Sequence, residues 1–223
     1  MTNKPKEELA IATEGEMSSD LPDMQVTGSV LDAYVEHMKK AEQAVEDKDL
    51  VRAVFEFEAA LLLRPNMSQP YLMLGQIMKQ NGKMMEALRN YEKAYELRPK
   101  NTFVLVNIAE IMFELGDNES AKGIACDAIA IDEGCAPAIC LLASVLGLEG
   151  GVDQAIELLQ CAIEEQPEEA SFWHVLAQLC RRQGDFANAD IFFQEAMRFN
   201  PASKSIQADY AEMKAEMSPE TLN

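Results

Sequence analysis

Alanine returns every 34 residues through most of this chain. Ala53, Ala87, Ala121, Ala155 and Ala189 are evenly spaced, and so are Gly82, Gly116, Gly150 and Gly184. Pro65, Pro99, Pro167 and Pro201 keep the same register, with Glu133 in the one slot that lacks proline. A fixed period of this length, without insertions, means stacked supersecondary units, none of which can bury its apolar face alone. Stability then accrues through contacts between neighbours and not through one central core. The period predicts five units, at 34–67, 68–101, 102–135, 136–169 and 170–203.

Repeat two shows what each unit is. From Ser68 to Asn101, two apolar-periodic runs flank Asn81-Gly82, and Arg98-Pro99 closes the unit. Glycine suits a turn just past a helix end because it tolerates positive φ, and the residue before a proline is biased away from the helical region. The expected helix pairs are 69–81 with 84–97, 103–115 with 118–131, 137–148 with 152–166, and 170–183 with 186–199. Residue 20 of every unit is alanine, and so is residue 27: Ala60, Ala94, Ala128, Ala162 and Ala196. A small side chain there lets two helix backbones approach, where bulk would overpack the interface. Between them lie Phe57, Tyr91, Ala125, Leu159 and Phe193, a large filler in four of five.

The ends depart from this pattern. Ser29 is the expected N-cap of the first helix, with Asp32 completing an aspartate version of the capping box. That helix runs to about Glu46, with Leu31, Tyr34, Met38, Ala41 and Val45 on one face. A second starts at Asp49, with Val51, Val54, Phe55, Ala59 and Leu62 expected to face inward, and Pro65 ends it. Lys48 replaces the turn glycine. Residues 204–217 form a last amphipathic helix, with Ile206, Tyr210 and Met213 covering the final repeat. Gly123 and Gly147 fall mid-helix, at a cost of roughly 1 kcal/mol each relative to alanine, so either the array bends between repeats three and four or, the favoured expectation, a neighbour packs closely at both.

Residues 1–28 are polar and acidic and cannot bury enough apolar surface to offset their ordering entropy; they read as a disordered tail, as do 218–223. Within them Leu21-Pro22-Asp23-Met24 is a candidate docking peptide. The net charge is −19, with the acidity concentrated in repeats three and four and repeat two net basic. Such a chain repels phosphates and anionic lipid, which argues against nucleic acid and membrane partners. No apolar run is long enough for a signal peptide or a transmembrane span. The five cysteines, Cys126, Cys135, Cys140, Cys161 and Cys180, are scattered without a CxxC. They read as thiols of a reducing, cytoplasmic setting and not as a metal or disulfide frame.

Chemistry has little to work with. The two histidines are His37, at a core position, and His174, which shares a repeat position with Cys140 one unit earlier. A cysteine nucleophile needs hydrogen-bond contact with a base and an oxyanion site, and neither is signalled. Glu164-Glu165 and Glu168-Glu169 flank a proline and read as exposed helix ends. The expectation is a non-enzymatic chain with no cofactor and no metal.

These residues resemble the tetratricopeptide repeat. Repeat two matches the family pattern with Tyr71, Leu74, Gly75, Met78, Gly82, Ala87, Tyr91, Ala94 and Pro99. Repeat five matches with Trp173, Leu176, Ala177, Cys180, Gly184, Ala189, Phe193, Ala196 and Pro201. The resemblance implies an all-α, right-handed α-solenoid whose first helices line a concave groove that holds an extended or helical segment of a partner protein. Carried onto this chain, the groove stripe gives Leu72 in repeat two and Phe103, Val106 and Phe113 in repeat three. It continues with Cys140 and Leu148 in repeat four, and His174, Arg181 and Arg182 in repeat five. Asn107 sits beside it, where such asparagines bond a peptide backbone in relatives. The centre is apolar and aromatic, and the far end carries two arginines that suit a carboxylate. The residues that grip heat-shock chaperone tails in this family are missing: Leu72, Gln76, Asn107, Pro137 and Leu141 cannot clamp two carboxylates. The expected role is a scaffold or adaptor, with self-association open to it. Two alternatives are a secretion or assembly chaperone for apolar segments and a regulatory subunit of a separate enzyme.

Overall fold

The structure, a computed structural model, describes residues 28–217. The expected tails, and with them Leu21-Pro22-Asp23-Met24, lie outside the described residues except for Gly28. Among the described residues there are eleven helices and no strand. They are α1 (Gly28–Glu46), α2 (Leu50–Leu63), α3 (Ser68–Gln80), α4 (Met84–Leu97), α5 (Thr102–Glu114), α6 (Asn118–Ile131), α7 (Ala136–Leu148), α8 (Val152–Glu165), α9 (Ala170–Arg182), α10 (Phe186–Phe199) and α11 (Lys204–Glu216). Each odd-numbered helix to α9 packs on the next as a hairpin, each pair packs on its neighbours, and α11 closes the stack on α9 and α10. This is an all-α solenoid.

The turns inside the hairpins share one device. In each, the backbone N–H three residues past the helix end reaches back to a carbonyl five residues earlier: Asp49 to Ala44, Lys83 to Met78, Asp117 to Met112, Gly151 to Leu146 and Asp185 to Cys180, at 2.8–2.9 Å. That closure needs a left-handed residue between them. Gly82, Gly116, Gly150 and Gly184 supply it at φ 73–89°, and Lys48 is forced into it at φ 61°. A non-glycine residue there carries a penalty of roughly 1–2 kcal/mol. Asp49, Asp117 and Asp185 then cap the next helix, each accepting a bond from a backbone N–H in its first turn.

The alanines at residues 20 and 27 of the units are all buried, as are Phe57, Tyr91, Ala125, Leu159 and Phe193 between them. The face expected for α2 is corrected by this arrangement. Val51, Phe55 and Leu62 are 84%, 66% and 88% exposed, while Ala53, Phe57 and Ala60 are sealed against α1 and α3. The reason is steric: α2 is apolar on nearly every side, so close approach of backbones, which only the alanines permit, decides which side turns in. Leu31 is likewise exposed, and Ser29 lies inside α1, which begins at Gly28.

The two mid-helix glycines differ. Gly147 is crowded by the Leu179 side chain of repeat five, so close packing holds there. Gly123 is exposed with nothing within 4 Å of the space its Cβ would fill, so the expected close neighbour is absent.

Candidate functional site

The groove candidates sit on α3, α5, α7 and α9, the first helices of repeats two to five. The structure sorts them by what the neighbouring helix leaves uncovered. Leu72 and Val106 are each 6% exposed, packed into the apolar layers between helices, and offer a partner almost no surface. Phe103 and Leu148 stand out at 39% and 49% exposed, and Phe113 is half-buried.

Asn107 is turned inward and hydrogen-bonded through both its side-chain nitrogen and its oxygen. Its Nδ2 donates to the Phe103 carbonyl at 2.9 Å. Its Oδ1 accepts from Lys79 Nζ at 3.1 Å and Tyr91 OH at 3.3 Å. An asparagine so bonded is an internal strut and not a free hook for a peptide backbone. Burial raises the Tyr91 hydroxyl well above its usual range, so it remains a donor.

The two arginines part company. Arg181 is held by α11: Nε donates to Glu216 at 2.8 Å and Nη1 to Glu212 at 3.0 Å. These bonds make the guanidinium still harder to deprotonate. Arg182 is exposed and has no ion pair among the described residues. His174 also turns to α11, its Nε2 standing 2.7 Å from Asp209, which accepts a second bond from Gln178 at 2.7 Å. Cys140 is half-buried; burial pushes its thiol up to about 11, the reverse of an activated thiolate.

Phe113, Leu148 and Val175 therefore line one cleft of about 520 Å³ with Arg182 at its edge. Its far wall is Asp209, Glu212 and Glu216 of α11. Leu72, Val106 and Asn107 are not among the residues lining it. Among the described residues, no group of three or more His, Cys, Asp or Glu side chains could hold a metal ion. Among the described residues, no helix is long and apolar enough to cross a membrane.

Sequence reading missed the wall, although a signal for it exists. Extending the 34-residue register one unit places Glu212 and Glu216 where Gln178 and Arg182 stand in α9. α11 is in effect a further first helix, with Glu212 and Glu216 at two of its groove-facing positions. The bond from Arg181 to Glu212 repeats the one from Lys79 to Glu110, which likewise spans 31 residues.

Tetratricopeptide repeat models match residues 68–101 and 141–204. Among curated proteins the chain is similar to Protein FlbA of Caulobacter vibrioides, at 27% identity over 166 residues, which is 74% of this chain and 28% of that one. It thus spans under a third of that relative's length. Among solved structures it is similar in fold to the MamA protein (TM-score 0.64, 20% identity, covering 80% of this chain and 96% of that one). It is similar also to YrrB, described as a tetratricopeptide repeat protein with an unusual peptide-binding site (TM-score 0.61, 17% identity, 82% and 98%).

Proposed function

Because the chain is a tetratricopeptide repeat protein, we propose that it holds a segment of another protein in the cleft between repeats three and five, without catalysing a reaction on it. The observation that carries this reading is the cleft's composition. Phe113, Leu148 and Val175 offer apolar surface beside Arg182, a cation with no ion pair among the described residues of a chain whose net charge is −19. Proteins of this family act through protein–protein contact, and an apolar patch with a polar rim is the usual form of such a site.

The segment that fits places one or two apolar side chains over Leu148 and Phe113, with a carboxylate within reach of Arg182. Charge-assisted bonds of a guanidinium to a carboxylate are about twice as strong as neutral ones. Phe103, exposed at the start of α5, is not among the residues lining this cleft. The free thiols, with Cys126 and Cys161 exposed, suit a reducing compartment, and the reading includes a cytoplasmic setting.

Site-specific photocrosslinking tests this. A photoreactive residue at Leu148 in cells should form a protein adduct, while one at Ile191, exposed on a second helix of a pair, should not. An adduct pattern with Ile191 labelled and Leu148 unlabelled would contradict the reading.

A further inference from the structure

The outer face of α2 is apolar and carries both signs of charge. Val51, Phe55 and Leu62, the most open large apolar residues among those described, share one side of the helix, away from buried Ala53, Phe57 and Ala60. Exposed Glu58 lies among them, on the edge nearer α4, and exposed Arg52 lies on the edge nearer α1, where its charge acts on Lys40. On α4, one repeat later, exposed Met85, Arg89 and Glu92 take the places of Val51, Phe55 and Glu58. Arg89 thereby stands on the edge of α4 nearer α2. None of these four charged groups makes an ion pair among the described residues.

A partner of one sign would answer only half of these charges. A second copy answers all of them, because in a two-fold contact the same face supplies both members of every pair. The register allows it. With the axis crossing α2 midway between Glu56 and Phe57, two α2 helices run antiparallel, and Val51 of one copy faces Leu62 of the other. The same axis crosses α4 midway between Asn90 and Tyr91. Arg89 of one copy then lies level with Glu58 of the other, so these four side chains alternate in sign around the axis. The net charge is also favourable here. Residues 34–101 hold eleven Lys and Arg against ten Asp and Glu, in a chain whose net charge is −19. Two copies therefore repel each other less through repeats one and two than through acidic repeats three and four.

We propose that this face joins two copies of the chain about a two-fold axis, α2 antiparallel to α2, with Val51 against Leu62 and Glu58 paired with Arg89 across the contact. The surface is separate from the groove, and the proposal does not depend on what the groove binds.

Sedimentation equilibrium of the full chain tests it. The mass should rise with concentration from that of one chain to that of two. Val51→Ser with Leu62→Ser, both at exposed positions, should weaken the dimer at least tenfold while circular dichroism stays unchanged. Glu58→Arg and Arg89→Glu should each weaken it as well, by setting like charges against each other. An equimolar mixture of those two variants should form the dimer again, because each supplies the charge that the other lacks; a pairing inside one chain gains nothing from mixing. A monomer at every concentration would overturn the proposal. So would a dimer that survives the Val51 and Leu62 changes, or charge variants that mixing does not rescue.

Discussion

Arg181 Nε donates to Glu216 Oε2 at 2.8 Å, tying the last full repeat to α11. The charge that would otherwise face a partner is thereby spent inside the molecule. Asp209 does the same for His174 and Gln178, and Lys214 and Tyr210 of α11 both bond Asp190 of α10. With few apolar anchors, chiefly Ile206 and Met213, α11 depends on these polar contacts more than any repeat does.

That dependence gives a pH prediction. The bond from Lys214 holds Asp190 below the usual carboxylate range, and the bond from Arg181 does so for Glu216. A carboxylate whose pKa is lower folded than unfolded contributes stability above its unfolded value, about 4, and loses it as pH falls through the lowered folded value. Acidification below about pH 4 should therefore raise amide exchange in α11 before α9 opens. Equal loss of protection in both helices across that range would contradict the assignment.

The two mid-helix glycines should respond oppositely to alanine. Gly147→Ala pushes a methyl into Leu179 and should destabilise by about 1–3 kcal/mol. Gly123→Ala meets open space within a helix and should stabilise by up to roughly 1 kcal/mol. Thermal unfolding of the two variants checks the signs.

Lys48 holds a left-handed conformation at a turn where the other four hairpins use glycine. Lys48→Gly should stabilise repeat one by about 0.5–1 kcal/mol, the relieved strain less the greater freedom of glycine in the unfolded chain. Chemical denaturation with an unchanged m-value would confirm it; a loss of stability would show that Lys48 makes a compensating contact.

Much of the fold was legible because each hairpin is local and the period repeats its marks. Where one helix carries apolar residues on nearly every side, as in Leu50–Leu63, periodicity does not select a face. Register does: Ala53, Phe57 and Ala60 align with buried residues in every other unit, and that points away from Val51, Phe55 and Leu62. The groove was legible as a stripe but not as a surface. Whether Leu72 or Leu148 reaches solvent depends on the side chain one repeat away, and Asn107 is claimed by Lys79, which is 28 residues earlier. Such pairings follow from the stacking geometry and carry no local mark.

The most direct test of the groove account is selection of peptides from a displayed random library on the full chain, followed by affinity measurement on variants. The selected peptides should join apolar residues to Asp or Glu. Phe113→Glu with Leu148→Glu should weaken their Kd at least tenfold, Arg182→Glu should weaken it most at low salt, where charge contacts are least screened, and Ile191→Glu should leave it unchanged. Peptides whose affinity survives the Phe113 and Leu148 changes and falls with Ile191→Glu would contradict the account.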